Sequence, residues 1–335
     1  MNPSDKYNRP LRDLRISVTD RCNFRCTYCM PKEMFGRDYE FLPHDELLSF
    51  EEIEDVARSF VSLGVNKIRL TGGEPLMRRD LESLISKLAG IPGVDDLAIT
   101  SNGSFSRERA NSLKEAGLTR MTVSLDALDN ETFMRMNDVD FPVERVLDWI
   151  EASNEAGLNP VKINMVVKRG VNEDAILPMA EYFKGKGHIL RLIEYMDVGH
   201  SNGWRLDDVV SAQEMRDLIH AEMPIEPSEA NYRGEVAKRY RYVDGDGEIG
   251  IISSVTQPFC GDCSRARISA DGKLYTCLFA IGGKDLRSLI RSGASAEELS
   301  AAISSVWSER EDRYSELRSA QTQDLPKVEM SYIGG

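Results

Sequence analysis

The stretch LRISVTDRCNFRCTYCMP, residues 14–31, joins a β-branched run to a loop that carries three thiols. The cysteines are Cys22, Cys26 and Cys29, with the spacing C-x3-C-x2-C. A structural zinc ion normally takes four ligands, whereas a 4Fe–4S cluster held by three cysteines leaves one iron free to bind another molecule. The sequence therefore favours an iron–sulfur cluster after the first strand. A zinc site completed by a distant histidine or cysteine is the alternative.

The same strand-then-loop pattern repeats along the chain. Short β-branched runs alternate with longer amphipathic stretches from residue 14 to about residue 195. Strands are predicted at residues 14–19, 67–72, 97–101, 121–126, 161–167 and 189–195. This alternation predicts an α/β fold with a parallel sheet, either partly closed into a barrel or open and doubly wound. In both architectures ligands bind at the carboxyl ends of the strands.

The helix boundaries carry signals of their own. Helices are predicted over residues 49–64, 106–117 and 142–157, among others. The first begins with a capping-box pattern, in which Ser49 is followed three residues later by Glu52. Each of these three stretches ends on a glycine, as helices often do: Gly64, Gly117 and Gly157.

After about residue 225 the alternation of predicted strands and helices ends. Residues 239–252 and 266–277 are predicted to form hairpins that turn at Asp-Gly pairs. A helical, charged segment follows, and the chain ends in Ile-Gly-Gly. We therefore divide the chain into a first domain, residues 1–224, and a C-terminal antiparallel and helical domain, residues 225–335.

Composition limits the possible partners and the compartment. The chain has 335 residues, with 42 Lys and Arg against 55 Asp and Glu, which gives a net charge of −13. Such an acidic chain is a poor match for general binding to nucleic acid or to an anionic membrane. The N-terminus has no apolar signal region, and no apolar run approaches the ~18 residues that cross a bilayer. We expect a cytoplasmic protein whose six cysteines serve as metal ligands rather than disulfides.

A second group of three cysteines lies near the C-terminus. Cys260, Cys263 and Cys277 have the spacing C-x2-C-x13-C, and zinc is again the alternative metal. Between them, Arg265 and Arg267 point the same way if the segment is extended. Two guanidinium groups beside a metal site suggest capture of a phosphorylated or carboxylated ligand, unless they belong to a solvated strand face.

These motifs resemble those of a known superfamily. The first cysteine group, with Tyr28 before its last cysteine, and the turn at residues 72–75 (Gly-Gly-Glu-Pro) are similar to the radical S-adenosylmethionine (SAM) superfamily. The two cysteine groups together with Arg-Ala-Arg at residues 265–267 closely resemble the GTP 3′,8-cyclase family of molybdenum cofactor biosynthesis. The resemblance covers nearly the whole chain. It implies an incomplete (β/α)6, TIM-like barrel with a C-terminal appendage, and two 4Fe–4S clusters.

The resemblance also implies roles for individual residues. SAM contacts are implied for Tyr28, Gly73, Ser124 and Met196. GTP contacts are implied for Arg15, Arg69, Thr100, Lys162, Arg265, Ala266 and Arg267. Catalytic roles are implied for Arg15, Arg265, Arg267, Gly334 and Gly335, the two glycines as a tail that reaches into the active site. Cations that point into a barrel are unfavourable without an anion, which a triphosphate supplies. Internal carboxylates are the alternative partners for these cations.

The implied chemistry is a radical cyclisation. In this family, reductive cleavage of SAM gives a 5′-deoxyadenosyl radical that removes a hydrogen atom from ribose C3′ of GTP. The C3′ radical attacks guanine C8, and reduction gives 3′,8-cyclo-7,8-dihydro-GTP. The implied partners are an electron donor such as flavodoxin or ferredoxin and the downstream cyclic pyranopterin monophosphate synthase. Neither a nucleic acid nor a membrane is expected as a partner, and a homodimer is an open option.

Two other functions compete with this interpretation. One is a radical SAM peptide-modifying oxidoreductase with an auxiliary cluster, a class that usually carries more C-terminal cysteines and lacks Arg-Ala-Arg. The other is a non-catalytic zinc-binding scaffold. Iron analysis separates the scaffold from both radical enzymes.

Overall fold

The predicted strands form the middle of one twelve-stranded sheet. The structure is a computed structural model that describes residues 2–318 and 327–335. The six strands are β1 (Asp13–Ser17), β2 (Lys67–Thr71), β3 (Asp96–Ser101), β4 (Arg120–Ser124), β5 (Lys162–Val167) and β6 (Ile189–Glu194). They are parallel neighbours in chain order, which confirms the α/β alternation.

The C-terminal part of the chain adds strands to both edges of this sheet. They are β7 (Ile225–Ser228), β8 (Lys238–Tyr242), β9 (Glu248–Ile252), β10 (Arg265–Ile268), β11 (Lys273–Tyr275) and β12 (Lys284–Asp285). The two predicted hairpins are confirmed, since β8 pairs antiparallel with β9 and β10 pairs antiparallel with β11. Strand β9 also lies parallel to β6, and β10 lies parallel to β1.

The barrel is therefore partial and continues into the C-terminal strands. The sheet order is β12-β11-β10-β1-β2-β3-β4-β5-β6-β9-β8-β7, and within the described residues its two outer strands do not pair with each other. Without β9 and β10, strands β6 and β1 would expose unpaired backbone groups along both edges. The C-terminal strands satisfy these groups. The domain division at residues 224 and 225 stays a prediction.

Helices fill the crossovers and cover the outer face of the sheet. They are α1 (Phe50–Ser62), α2 (Leu81–Ala89), α3 (Arg107–Glu115), α4 (Asn130–Asn137), α5 (Val143–Glu155), α6 (Ile176–Phe183) and α7 (Ala212–Glu222). The C-terminal part adds α8 (Arg287–Arg291), α9 (Ala296–Ser308), α10 (Tyr314–Leu317) and α11 (Met330–Ile333). The capping box of Ser49 and Glu52 is present. Gly64, Gly117 and Gly157 follow their helices with positive φ, as predicted.

The two faces of the sheet differ in chemistry. In β1 and β2, the residues that pack against the helices are apolar, for example Leu14, Ile16 and Ile68. Because side chains alternate along a strand, Arg15 and Arg69 lie on the opposite, inner face. The sequence thus places an apolar core outside the partial barrel and cations within it. No described helix has the length and apolar character that a membrane crossing requires.

Candidate active site

All six cysteines line a single cavity of about 290 Å³ at the mouth of the partial barrel. Residues from the carboxyl ends of the parallel strands form its wall, among them Thr71, Ser101 and Ser124. This is the end of a parallel α/β barrel where ligands bind. We refer to Cys22, Cys26 and Cys29 as the first triad, and to Cys260, Cys263 and Cys277 as the second triad.

The loop of the first triad is held by hydrogen bonds to its backbone. Nη1 of Arg25 donates to the carbonyl oxygens of Cys22 and Phe24 at 2.7 and 2.8 Å. Burial raises the pKa of Cys22 to about 12 and that of Cys26 well above its ordinary value. Buried thiols of this kind ionise when a cation binds them, and iron is such a cation. The donor set therefore fits a cluster that supplies positive charge.

The Gly-Gly-Glu-Pro turn after β2 lies directly against this loop. The backbone N–H of Gly73 donates to the carbonyl oxygen of Thr19 at 2.8 Å. A Cβ at position 73 would overlap the carbonyl oxygen of Arg21, so the close approach requires glycine. The buried carboxylate of Glu74 accepts from the Ser101 hydroxyl at 2.9 Å and from the backbone N–H of Asn102 at 2.7 Å. Burial raises the pKa of Glu74 to about 7.

The four residues predicted to contact SAM all line the cavity: Tyr28, Gly73, Ser124 and Met196. The hydroxyl of Tyr28 donates to Oδ2 of Asp126 at 2.9 Å, and Oδ1 of Asp126 accepts from the backbone N–H of Val166 at 2.9 Å. Asp126 thus fixes the Tyr28 ring at the edge of the first triad. Sequence reasoning missed Asp126, although it is the last residue of the strand predicted at residues 121–126 and lies just after β4. The SAM contacts themselves stay predictions.

The second triad has a different electrostatic environment. Nη1 of Arg9 donates to the carbonyl oxygen of Cys260 at 2.7 Å, and Nη1 of Arg310 donates to that of Cys263 at 2.7 Å. Nη2 of Arg265 lies 3.5 Å from Sγ of Cys263. Burial alone would raise the pKa of Cys263, but Arg265 and Arg310 lower it to about 6. A thiolate at neutral pH is the form that binds a metal.

Cations from neighbouring strands meet inside the partial barrel. In the register of the sheet, Arg15 lies beside Arg69 on one side and beside Arg267 on the other. We define the cation group as these three residues together with Lys162, Arg191 and Arg265. Among residues 2–318 and 327–335, no carboxylate lies within 4.0 Å of any cationic nitrogen of the group. The alternative of internal carboxylate partners therefore does not apply to these side chains.

Burial and mutual repulsion make the cation group costly to keep charged. Burial and then Arg191 lower the pKa of Lys162 to about 7. Burial and then Arg265 lower the pKa of Arg267 to about 9, and burial followed by Arg69 does the same for Arg191. Nη1 of Arg69 finds only neutral partners, the hydroxyls of Thr100 and Thr122 at 2.9 and 2.8 Å. Apart from Arg265, which faces the Cys263 thiolate, these buried cations call for an anionic ligand.

The cation group extends below the main cavity. A smaller cavity of about 50 Å³ lies at the amino ends of the strands, and Lys162 lines it rather than the main one. Arg15, Arg69, Arg191 and Arg265 line both. Arg191 was missed, although its position in ILRLIEY, between two apolar residues of a predicted strand, carried the signal. Ala266 is fully buried on the opposite face of β10 from its two arginine neighbours.

The C-terminal glycines lie within the site. The carbonyl oxygen of Gly334 accepts a hydrogen bond from Nη1 of Arg267. Gly335 lines the main cavity. The structure therefore brings the predicted tail to one of the predicted GTP-binding arginines.

The two triads are not arranged as single-ion sites. In the part of the chain that the structure describes, no three His, Cys, Asp or Glu side chains converge on one metal position. Cysteines of a 4Fe–4S cluster bind separate irons and so stand farther apart than the ligands of one ion. Burial of the thiols in a common cavity fits both triads to such clusters.

Comparisons with known proteins decide the family. The radical SAM superfamily matches residues 16–183, and Molybdenum Cofactor Synthesis C matches residues 188–316. The GTP 3′,8-cyclase of Acidothermus cellulolyticus is 52% identical over 356 residues, which cover 99% of this chain and 98% of that protein. The chain belongs to the GTP 3′,8-cyclase family. As a member of the radical SAM superfamily, it takes an iron–sulfur cluster and SAM as cofactors.

Other members of the GTP 3′,8-cyclase family are similarly close. The Staphylococcus carnosus protein is 52% identical, over 99% of this chain and 98% of its own length. That of Xanthomonas campestris pv. campestris (strain B100) is 51% identical, over 99% of this chain and 97% of its own. Among solved structures, Streptococcus suis SuiB bound to S-adenosylmethionine has a TM-score of 0.61 at 15% identity, covering 96% of this chain and 74% of SuiB. At that identity the similarity concerns the fold.

Proposed function

We infer that this chain is an enzyme that converts GTP to 3′,8-cyclo-7,8-dihydro-GTP with SAM, the first step of molybdenum cofactor biosynthesis. Relatives that are about 50% identical over nearly the full chain carry the name GTP 3′,8-cyclase. The observation that carries the inference is one cavity lined by both cysteine triads and by buried cations that have no carboxylate partner among the described residues. This arrangement provides one binding end for each of two ligands.

The first triad would hold the cluster that binds SAM. When bound, a reduced cluster supplies the electron that cleaves SAM to methionine and a 5′-deoxyadenosyl radical. Tyr28, Gly73, Ser124 and Met196 would orient SAM, because they line the same cavity as this triad. Asp126 holds the Tyr28 hydroxyl. The chain's contribution is to fix the cofactor and to keep water and stray hydrogen donors away from it.

The second triad and the cation group would hold GTP. We propose that Cys260, Cys263 and Cys277 would hold a second 4Fe–4S cluster, whose iron without a cysteine ligand would bind the guanine base. Arg15, Arg69, Lys162, Arg265 and Arg267 would neutralise the triphosphate, and Thr100 would accept from Arg69 as it does in the free protein. Ala266 would contribute through its backbone, since its side chain is buried on the far face. Binding of both the guanine base and the triphosphate would hold ribose C3′ of GTP toward the SAM side of the cavity.

The tail and the partners complete the proposal. Gly334 and Gly335 would act during turnover from the position they occupy beside Arg267. Two electrons per turnover require a donor such as flavodoxin or ferredoxin, and the product passes to cyclic pyranopterin monophosphate synthase. Cytoplasmic location, the two-domain division and a homodimer stay predictions.

The test is anaerobic turnover of Arg267→Ala and Arg265→Ala. The holoenzyme is incubated with GTP, SAM and dithionite, and both cyclised GTP and 5′-deoxyadenosine are measured by mass spectrometry. Wild type should form both products. Each variant should lose cyclised GTP by at least ~100-fold, because a buried charge-assisted contact to phosphate is lost, and still cleave SAM.

Arg241→Ala is the matched control for this test. Arg241 is an exposed arginine paired with Glu226 on the antiparallel edge of the sheet. This variant should behave as wild type. Normal cyclisation by both Arg265→Ala and Arg267→Ala would show that these residues do not bind the phosphates.

A further inference from the structure

A loop that follows β6 contacts the C-terminal tail at two separate points. We define the β6 loop as residues 196–201 and the tail as residues 327–335. The β6 loop begins with Met196, which lines the main cavity. The tail ends with Gly335, which lines the same cavity. The segments are more than 100 residues apart in sequence, so their contacts depend on the folded structure.

The first contact is a buried ionic cluster centred on Asp197, a side chain that is only 3% exposed. Nζ of Lys327 donates to Oδ2 of Asp197 at 2.9 Å and to its carbonyl oxygen at 3.1 Å. Nε of Arg318 donates to Oδ1 at 3.0 Å, and the Tyr314 hydroxyl donates to Oδ2 at 2.7 Å. Burial alone would raise the pKa of Asp197, but Arg318, Tyr314 and Lys327 lower it. Among residues 2–318 and 327–335, Asp197 is thus the carboxylate that pairs with these two buried cations.

The second contact involves Glu329, two residues further along the tail. Its Oε1 accepts from the backbone N–H of His200 at 3.2 Å, and its Oε2 accepts from the Ser201 hydroxyl at 2.9 Å. Gly199 has a φ of +63°, and a Cβ there would overlap the Glu329 carboxylate. The β6 loop is therefore shaped to let the tail pass closely over it.

The anchored part of the tail is short. Helix α11 begins directly after Glu329, and Ile333 at its end is fully buried. The next residue, Gly334, accepts from Arg267. Only a short helical segment therefore connects the contacts with the β6 loop to the two C-terminal glycines. These contacts thus determine where the glycines lie.

We propose that Asp197 is a positioning residue that clasps the tail through Lys327, while Arg318 and Tyr314 hold the Asp197 carboxylate in place, with Glu329 as a second anchor. The clasp holds Gly334 and Gly335 in the cavity beside Arg267. Because Met196 and Asp197 are adjacent, the same loop forms part of the cavity wall and holds the tail. The effect of the clasp on turnover rests on the proposed function, whereas its effect on the tail does not.

The structural test measures how accessible the C-terminus is. Anaerobically prepared holoenzyme is treated with carboxypeptidase Y, and removal of Gly335 is followed by intact mass spectrometry. Asp197→Asn leaves two buried cations without their anion and should speed removal about 10- to 100-fold, the loss of a charged hydrogen-bonded contact. Glu329→Gln should speed removal less. Asp207→Asn is the control, because it changes an exposed carboxylate on the segment that follows β6. Its rate of Gly335 removal should match that of wild type.

The second measurement is the ratio of cyclised GTP to 5′-deoxyadenosine. In Asp197→Asn and Glu329→Gln this ratio should fall in proportion to tail exposure, while SAM cleavage persists. A general folding defect would lower both products together and would also lower the melting temperature of the Glu329→Gln variant.

Each outcome separates the clasp from the proposed function. If both variants protect Gly335 as wild type does, the clasp is wrong. If Gly335 is released but the product ratio does not change, Asp197 does not position the tail for turnover. If the tail is released while wild type fails to cyclise GTP, the clasp stands and the proposed function falls.

Discussion

Replacing Lys162 with methionine should stabilise the ligand-free protein and weaken GTP binding. Lys162 lies in the smaller cavity with Arg15, Arg69 and Arg191, and burial followed by Arg191 lowers its pKa from 10.5 to about 7. Each step of one in pKa corresponds to 1.36 kcal/mol, so keeping this lysine charged in the folded state costs up to ~5 kcal/mol. Methionine occupies a similar volume without the charge. We expect a gain in the free energy of unfolding of a few kcal/mol at pH 7.

The sign of the pH dependence follows from the same pKa. The folded-state pKa lies below the unfolded value, so the folded state binds fewer protons between about pH 7 and pH 10.5. The penalty is fully present below about pH 7 and fades as the pH rises toward 10.5. The stability difference between Lys162→Met and wild type should therefore shrink on going from pH 7 to pH 9.

The assay is anaerobic urea denaturation of both proteins, with and without GTP. Loss of a cation that faces phosphate should weaken GTP binding by roughly 10- to 100-fold, so added GTP should stabilise wild type more than the variant. Lys87→Met is the control, because Lys87 forms partly exposed pairs with Glu51 and Glu54 outside the barrel, and its loss should change the free energy of unfolding little. A Lys162→Met protein that is less stable than wild type and binds GTP normally would refute the reasoning.

Two further predictions concern proton uptake and iron. GTP affinity should decrease as the pH rises above about 7. In the ligand-free protein the pKa of Lys162 is about 7, and bound phosphate raises this pKa, so the complex holds more protons than the free protein. Isothermal titration calorimetry between pH 7 and pH 9 checks this, and a wild-type affinity that does not change with pH would contradict it. The Cys263→Ala protein should carry about four irons where wild type carries about eight, since one cluster loses a ligand and the other does not; unchanged iron content in anaerobic preparations would argue against the second cluster.

The central strands could be predicted from sequence because their signal is local. Each β-branched run lies between turn residues, and Ser49 and Gly64 mark the ends of the first helix within a few positions of the chain. The positions of β9 and β10 could not be predicted in this way. Their hairpins were evident, but their parallel pairing with β6 and β1 depends on edges formed by distant segments.

The residues of the candidate site likewise fall into those that a local sequence pattern predicts and those that only the folded chain brings together. Alternation in the strands placed Arg15 and Arg69 on the inner face, and the same rule applied to β6 would have found Arg191. By contrast, the contacts of Arg9 with Cys260 and of Arg310 with Cys263 join residues from opposite ends of the chain or from separate elements. No periodicity predicts such contacts, because they arise when the C-terminal helices close against the N-terminal segment.

The depth at which the cation group lies within the barrel could be determined only from the structure. Sequence predicted Lys162 as one of several inward cations, but not that it lies in a separate cavity at the amino ends of the strands. Depth within a barrel depends on strand stagger, which the sequence pattern of a single strand does not contain.

We propose that one cavity holds SAM at the first triad and the ribose of GTP within reach of it. The most direct measurement is anaerobic turnover with GTP deuterated at C3′, followed by mass spectrometry of the 5′-deoxyadenosine. We expect the 5′-deoxyadenosine to carry a deuterium atom from GTP and cyclised GTP to form in equal amount. Unlabelled 5′-deoxyadenosine formed alongside cyclised GTP would contradict it.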